Sequence, residues 1–184
     1  PKIAQIMATR REIFRALTEA GAELYGEAEA RQIAEMVLES RGVSRNMLLV
    51  DPNEELQFPD LDSVINDIRA WRPVQYIIGT AEFAGIDFEV SDAVLIPRPE
   101  TEELVDWIAS EVGDSASILD VGTGSGCIAI ALSRAVSGSS VWALDISADA
   151  LAVARRNGAK YAPDVRFVEG DALSDFSALF AEKF

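Results

Sequence analysis

Apolar residues in the first 73 positions recur with the period of an amphipathic helix. Two stripes with spacings of three, four or seven residues predict two helices. The first stripe comprises Ile3, Ile6, Met7, Phe14 and Leu17, and the second comprises Ala30, Ile33, Ala34, Val37 and Leu38. We expect Gly21 and Gly26 to separate these helices, and Ser44 to cap a short third one. With a fourth helix over Leu61–Trp71, the pattern predicts a small bundle.

Residues 74–96 change to a pattern that is typical of short β-strands. Val74–Gly79 and Asp87–Val90 are rich in β-branched and aromatic residues, and Gly79 and Gly85 interrupt the pattern. We therefore predict a β-hairpin over residues 74–96 that links the bundle to the rest of the chain. A helix that begins near Glu100 and ends near Gly113 follows.

From Ser117 onwards, buried-strand runs alternate with glycine turns and helices. The predicted strands are Ser117–Val121, Val141–Ile146 and Val165–Glu169. The predicted helices are Cys127–Val136, one that Ser147 caps and that runs to Gly158, and one that starts at Ser174 and contains Phe176, Leu179 and Phe180. Such alternation predicts an α/β fold with a parallel sheet and right-handed crossovers in residues 97–184.

Two sequence features predict a ligand site at the carboxyl edge of this sheet. The first is a glycine loop after the first strand, whose residues Gly122, Thr123, Gly124, Ser125 and Gly126 allow close approach of a ligand to the backbone. The second is an aspartate at the end of each strand, namely Asp120, Asp145 and Asp171. Ligands bind at this edge in open α/β sheets. The alternative is that these are solvated acids in ordinary turns.

Composition narrows the chemistry of this site. The chain has no histidine, which removes the usual zinc ligands and the commonest neutral-pH base, and its one cysteine fits a reducing compartment such as the cytoplasm. We expect Cys127 to pack in a helix rather than act as a nucleophile. The net charge of −15 disfavours a nucleic-acid partner.

Acids around the loop would repel a pyrophosphate, so charge favours S-adenosylmethionine (SAM), which carries an ammonium and a sulfonium, over a dinucleotide.

Four segments resemble the HemK/PrmC family of SAM-dependent methyltransferases. These segments are Arg72–Gly79, Glu82–Gly85, Leu95–Glu102 and Ile118–Gly126, and the resemblance extends over the whole chain. The family methylates the glutamine of the Gly-Gly-Gln motif in bacterial peptide-chain release factors. The resemblance implies that residues 1–73 recognise the release factor, although a packing or docking module remains an alternative for this bundle.

The resemblance also implies roles for particular residues. Asp120, the glycine loop, Asp145 and the Asp171-Ala172 turn are expected to bind SAM, and Arg98, Glu100 and Thr101 to border the cleft. No catalytic residue is assigned, because the family's Asn-Pro-Pro-Tyr motif does not occur in this sequence. We interpret the chain as truncated before that motif, and expect it to be inactive alone and to self-associate through an uncovered sheet edge.

Two other functions remain open at this point. An adenine-N6 methyltransferase of nucleic acid would share the glycine loop, and a non-catalytic SAM-binding module would need only half of the site. Acidity and the absence of a basic patch disfavour the former. No membrane partner is expected, because the sequence contains no apolar run long enough to span a bilayer.

Overall fold

The chain forms two compact units, Pro1–Ile78 and Gly79–Phe184, and each unit has its own hydrophobic core. The computed structural model describes residues 7–174 and Phe180. The helix predicted from Ser174 onwards therefore lies almost entirely outside the described residues, as do Ile3 and Ile6. Within the described residues, no helix is both long and apolar enough to cross a membrane.

The first unit is the small helical bundle that the apolar stripes predict. Its elements are β1 (Met7–Thr9), α1 (Arg10–Tyr25), α2 (Glu27–Ser40), α3 (Arg45–Val50), β2 (Glu55–Gln57), α4 (Leu61–Arg69) and α5 (Val74–Ile78). Thr9 caps α1 in a reciprocal arrangement, because its side chain accepts from the Glu12 amide while the Glu12 carboxylate accepts from the Thr9 amide. The buried side chains of α1, α2 and α4 meet in one core.

Two expectations about the first unit are wrong. Val74–Ile78 is a helix rather than a strand. Pro73 starts this helix with its fixed φ, and Val74, Ile77 and Ile78 contact the core at helical spacing, which outweighs their β propensity. Gly21 lies inside α1 instead of ending it. A Cβ there would lie 3.3 Å from the Ala30 Cβ, so this glycine permits close packing of α1 against α2.

The second unit begins with the predicted hairpin, which is shorter than expected. Its strands are β3 (Thr80–Phe83) and β4 (Ile86–Glu89), paired antiparallel. Ala84 and Gly85 form the two-residue turn, and both have positive φ, at 50° and 70°, which matches the twist of the paired strands. The hairpin belongs to the second unit, and its Phe83 and Phe88 are fully buried in that unit's core.

The parallel sheet that the sequence predicts is confirmed. The remaining elements are α6 (Glu100–Glu111), β5 (Ser117–Val121), α7 (Cys127–Ala135), β6 (Ser140–Asp145), α8 (Ala148–Tyr161) and β7 (Arg166–Glu169). The three strands lie in the order β5-β6-β7 and all run parallel. Val121 pairs with Leu144, and Asp145 pairs with Glu169, so the carboxyl ends of the strands share one edge.

Close packing between α8 and β7 depends on Gly158. A Cβ built at this position would lie 2.9 Å from Cζ of Phe167, and nearer still to Cε2. Real Cβ atoms do not approach an aromatic ring so closely, so the ring of Phe167 occupies space that only a glycine leaves open. The helix is thereby held against the strand that precedes Asp171.

Candidate cofactor site

The glycine loop connects β5 to α7 and is tied to the neighbouring strand. The amides of Gly122 and Thr123 both donate to the Leu144 carbonyl, at 2.8 and 3.0 Å. Gly122, Gly124 and Gly126 all have positive φ, which side chains rarely tolerate, so the glycines are required by the path of the loop. Gly126 is the residue that precedes α7, and it adopts a left-handed conformation there.

Asp145 lies at the carboxyl end of β6 and holds this loop in place. One of its oxygens, Oδ2, accepts from the Gly124 amide at 2.8 Å, and Oδ1 accepts from the Ser147 amide at 2.9 Å. The residue is only 9% exposed. Each carboxylate oxygen has two lone pairs, so both oxygens can still accept from a ligand hydroxyl.

A cavity of about 170 Å³ lies beside Asp145 at the edge of the sheet. It is lined by Val121, Gly122, Leu144, Asp145, Ile146, Gly170, Asp171 and Ala172. The structure thus brings four predicted site residues around one cavity, namely Gly122, Asp145, Asp171 and Ala172. The turn after β7 is fastened to β6, because the Gly170 amide donates to the Asp145 carbonyl at 3.0 Å. Asp171 stabilises that turn by accepting from the Leu173 amide at 2.8 Å.

Asp120, Thr123 and Ser125 lie next to the cavity-lining residues. Thr123 and Ser125 are buried, at 5% and 2% exposure, and the Thr123 hydroxyl donates to Oδ2 of Asp120 at 2.7 Å. Burial raises the pKa of Asp120, the negative charge of Asp145 raises it further, and the hydrogen bond from Thr123 opposes the rise. Asp120 is therefore a carboxylate whose charge is costly until a cation or donor reaches it.

Asp120→Asn is expected to raise the free energy of unfolding near neutral pH. The pKa of Asp120 is raised in the folded state, so this carboxyl is harder to ionise in the folded protein than in the unfolded one. The free energy of unfolding therefore falls as the pH rises from the unfolded pKa through the folded pKa of this group. The amide keeps an acceptor for Thr123 but carries no charge. Urea unfolding of both proteins across the acid range should show equal stability below the unfolded pKa and a growing advantage of the variant above it. A variant that is less stable at neutral pH would contradict this account.

Asn157 is a structural residue of this site that the sequence reasoning missed. It is 2% exposed in α8. Its Nδ2 donates to the carbonyls of Glu89 and Ser125, both at 3.0 Å, and its Oδ1 accepts from the Glu89 amide at 2.8 Å. One side chain therefore joins the hairpin to the glycine loop. The sequence does contain a sign of this role, because Asn157 is a polar residue on the same buried stripe of α8 as Ala150, Val153 and Ala154.

Asn157→Asp is expected to loosen the glycine loop and to cost about 2–3 kcal/mol of stability. The carboxylate would retain the bond from the Glu89 amide but lose both donors, and it would place a charge beside two carbonyl oxygens. Urea unfolding measures the stability, and amide hydrogen exchange at residues 122–126 measures the loop. Asn53→Asp, at an exposed turn, is the matched control. Unchanged exchange in the loop would show that Asn157 does not hold it.

The remaining candidates lie away from the cavity lining. Arg98 and Glu100 are exposed, and Thr101 is half-buried in the first turn of α6, which begins at Glu100. None of these three residues is among the described residues that line the cavity. Cys127 packs against the core of the second unit, and burial raises the pKa of its thiol, which fits a packing role better than a nucleophilic one.

Comparison with known families defines the class of this second unit. Residues 118–183 match the methyltransferase domain family. Together with the parallel strands and the glycine loop between β5 and α7, this match confirms the expected SAM-dependent methyltransferase type of fold.

Several curated proteins that share one name are similar to most of this chain. "Release factor glutamine methyltransferase" is the name of a Flavobacterium psychrophilum protein, 38% identical over 161 residues, and of a Chlorobaculum tepidum protein, 45% identical over 159 residues. The alignments cover 83% and 79% of this chain, and 56% and 54% of those proteins. A Bacillus subtilis protein of the same name is 39% identical over 174 residues, covering 89% of this chain and 60% of its own length. The chain is similar in sequence to these proteins, in keeping with its HemK/PrmC-like motifs, and it spans little more than half of their length.

Proposed function

We propose that the second unit binds SAM at the carboxyl edge of its sheet, and that the protein serves as a glutamine methyltransferase acting on peptide-chain release factors. The observation that carries the proposal is the bond between the Gly124 amide and Asp145, which holds the glycine loop beside a cavity that Gly122, Asp145 and Asp171 line. The names of the curated relatives supply the methyl acceptor. A release factor as partner also supports a cytoplasmic location.

The residues around the cavity fit SAM better than a phosphate-bearing cofactor. The lining contains two carboxylates and no lysine or arginine. A pyrophosphate would therefore meet negative charge, whereas ribose hydroxyls and an ammonium would meet acceptors. Val121, Leu144 and Ile146 provide an apolar surface for a flat base. A volume of about 170 Å³ is smaller than the roughly 300–1,000 Å³ of pockets that enclose whole drug-sized ligands, so it fits the nucleoside part.

Each site residue would have a separate task in holding the cofactor. Asp145 has acceptor capacity left for the ribose hydroxyls, and the Asp171-Ala172 turn borders the space for the base. Asp120 would pair with the ammonium, so we expect SAM affinity to rise as the pH increases through the pKa of Asp120, which burial raises. The bound cofactor supplies an electrophilic methyl group on a sulfonium.

Methyl transfer to a glutamine amide places a further requirement on the protein. The lone pair of an amide nitrogen is delocalised into its carbonyl, so the nitrogen is a weak nucleophile. Orientation of the amide and acceptors for its hydrogens must therefore supply much of the rate enhancement. The Asn-Pro-Pro-Tyr motif that performs this task in the family is absent from the sequence. The 184-residue chain is accordingly expected to bind SAM without transferring its methyl group.

The test separates cofactor binding from methyl transfer. Calorimetric titration of the 184-residue chain with SAM and S-adenosylhomocysteine should show saturable binding, and titration with NAD should show none. Methyl transfer is measured in the full-length gene product by mass spectrometry of the Gly-Gly-Gln peptide of a bacterial release factor. Absence of SAM binding by the chain would overturn the cofactor assignment, and an unmodified glutamine with the full-length protein would overturn the substrate assignment.

A further inference from the structure

The first unit contains a pocket that combines two aromatic rings with a carboxylate. It has a volume of about 250 Å³ and lies where the end of α1, the first part of α2 and the segment after α4 meet. Its lining includes Tyr25, Glu29, Ile68, Trp71 and Arg72. None of its lining residues belongs to the candidate cofactor site. We call it the aromatic pocket.

Trp71 occupies a backbone position that favours glycine. It follows the end of α4 and has a φ of 59°, in the left-handed region. Its amide donates to the Ile68 carbonyl at 3.1 Å, and the Arg72 amide donates to the Asp67 carbonyl at 3.0 Å, which is the pattern of a Schellman motif. A bulky side chain is strained there, and residues held in such conformations cluster at functional sites. The tryptophan therefore needs a reason beyond ending the helix.

Packing inside the protein covers only part of the Trp71 side chain. Its ring centroid lies 4.7 Å from that of Tyr25, and the two rings are inclined to each other by 56°. Trp71 nevertheless remains 58% exposed. Because both residues line the aromatic pocket, a group that enters it would contact two aromatic rings.

The charges at this pocket favour a cation. Glu29 lies in the first turn of α2, and no lysine or arginine of the described residues forms an ion pair with it. Burial raises the pKa of Tyr25, and the negative charge of Glu29 raises it further, so this carboxylate acts close to the ring. Arg72 is the one cation among the described lining residues. Its guanidinium lies over the ring of Tyr76 and its Nε lies 3.8 Å from Asp67, neither of which lines the pocket.

We propose that the aromatic pocket binds a small organic cation with a quaternary ammonium group. Trp71 and Tyr25 would contact the methyl groups of the ammonium through cation–π interactions, and Glu29 would balance its charge. The volume of about 250 Å³ lies below the roughly 300–1,000 Å³ of sites for drug-sized ligands, so the pocket fits a small molecule. The net charge of −15 attracts cations at long range.

Binding is tested by NMR titration of the 184-residue chain with choline as the probe. The chain contains three tryptophans, and the indole N–H signal of Trp71 is the one that is missing in Trp71→Gly. Choline should shift this signal saturably and leave the other two in place. The alcohol 3,3-dimethylbutan-1-ol has the shape of choline without its charge, and should bind about tenfold more weakly or less. Equal affinity for the two, or an unmoved Trp71 signal at about 10 mM choline, would overturn the proposal.

Two variants separate binding from packing, with calorimetry as the measure of choline affinity. Trp71→Gly should lose choline binding about tenfold or more, while its stability to urea changes little, because glycine relieves the left-handed strain. Choline binding at the parental affinity in this variant would show that the indole only packs against Tyr25. Glu29→Gln should weaken binding about fivefold. Its matched control is Glu27→Gln, in the same exposed first turn of α2 but outside the pocket lining, which should bind as the parent does.

The source of the cation is distinguished by two further titrations, because trimethyllysine and phosphatidylcholine present the same head group. A peptide that carries trimethyllysine should bind no more than about tenfold more tightly than choline, and phosphatidylcholine vesicles should not sediment the chain. A much tighter peptide would assign the pocket to a protein side chain, and co-sedimentation would assign it to a lipid surface; either result would overturn the small-molecule assignment. Since the aromatic pocket shares no residue with the cofactor site, failure here leaves the SAM assignment standing.

Discussion

Asp145→Ala is expected to abolish measurable SAM binding, with an affinity loss of about 100-fold or more. The substitution removes the acceptors of the Gly124 and Ser147 amides, so the glycine loop loses its anchor. It also removes the carboxylate that would accept from ribose hydroxyls. Hydrogen bonds to charged groups contribute about 1.5–3 kcal/mol each, so the loss of two or three accounts for an effect of that size. Calorimetric titration with SAM provides the measurement.

Two further variants make this result interpretable. Asp145→Asn retains one acceptor oxygen and is expected to bind SAM with intermediate affinity. Asp149→Asn removes an exposed carboxylate from the first turn of α8, outside the cavity, and should leave the affinity unchanged. Full affinity in Asp145→Ala, with the fold intact by circular dichroism, would show that the cofactor site lies elsewhere.

Gly158→Ala is expected to destabilise the second unit by about 3 kcal/mol. The added methyl group would overlap the ring of Phe167, and both the helix and the strand that hold these residues are packed in the core. Overpacking of a close-packed interior typically costs about 1–3 kcal/mol, and the overlap here is with a rigid ring, which has little freedom to move. Urea unfolding monitored by circular dichroism measures the loss.

Gly113→Ala is the matched control, because nothing lies within 4 Å of a Cβ at that position and its φ is not in the left-handed region. Phe167→Leu tests the cause directly. If the ring is the obstacle, the double variant Gly158→Ala/Phe167→Leu should be more stable than the sum of the two single effects predicts. If the stability changes of the two single variants add up exactly in the double variant, the destabilisation by Gly158→Ala arises within α8 and not from the contact with the Phe167 ring.

The sequence was most informative where apolar periodicity and turn chemistry point to the same element. The strand Ser117–Val121 and the cap at Ser147 are confirmed residue for residue, and the hairpin is confirmed in its central part. Val74–Ile78 was misassigned because β-branched residues at helical spacing fit both patterns, and contact with the bundle core decides between them. The pairing of Met7–Thr9 with Glu55–Gln57 involves three residues on each side, too few for a periodicity to show.

The candidate site also has features that the sequence predicts and others that only tertiary contacts decide. Glycines and acids after successive strands predict which residues gather at one edge, because the parallel topology brings those positions together. Pattern alone does not reveal that the Asp145 side chain is already bonded to Gly124 and Ser147, nor that Asn157 reaches the loop across more than thirty residues of sequence. Those contacts depend on how the helices pack against the sheet, which the sequence pattern does not specify. SAM binding by these residues and the boundaries of a release-factor-recognition domain remain predictions.

The side chain of Asn157 also makes the hairpin and the glycine loop energetically dependent on each other. Since one amide group bonds both Glu89 and Ser125, displacement of the hairpin strand withdraws support from the loop. Coupling between two binding events is reciprocal, so a ligand that steadies the loop must steady the hairpin by the same free energy. A molecule that binds the hairpin and shifts Glu89 relative to Asn157 would therefore be expected to change the affinity of the cofactor site.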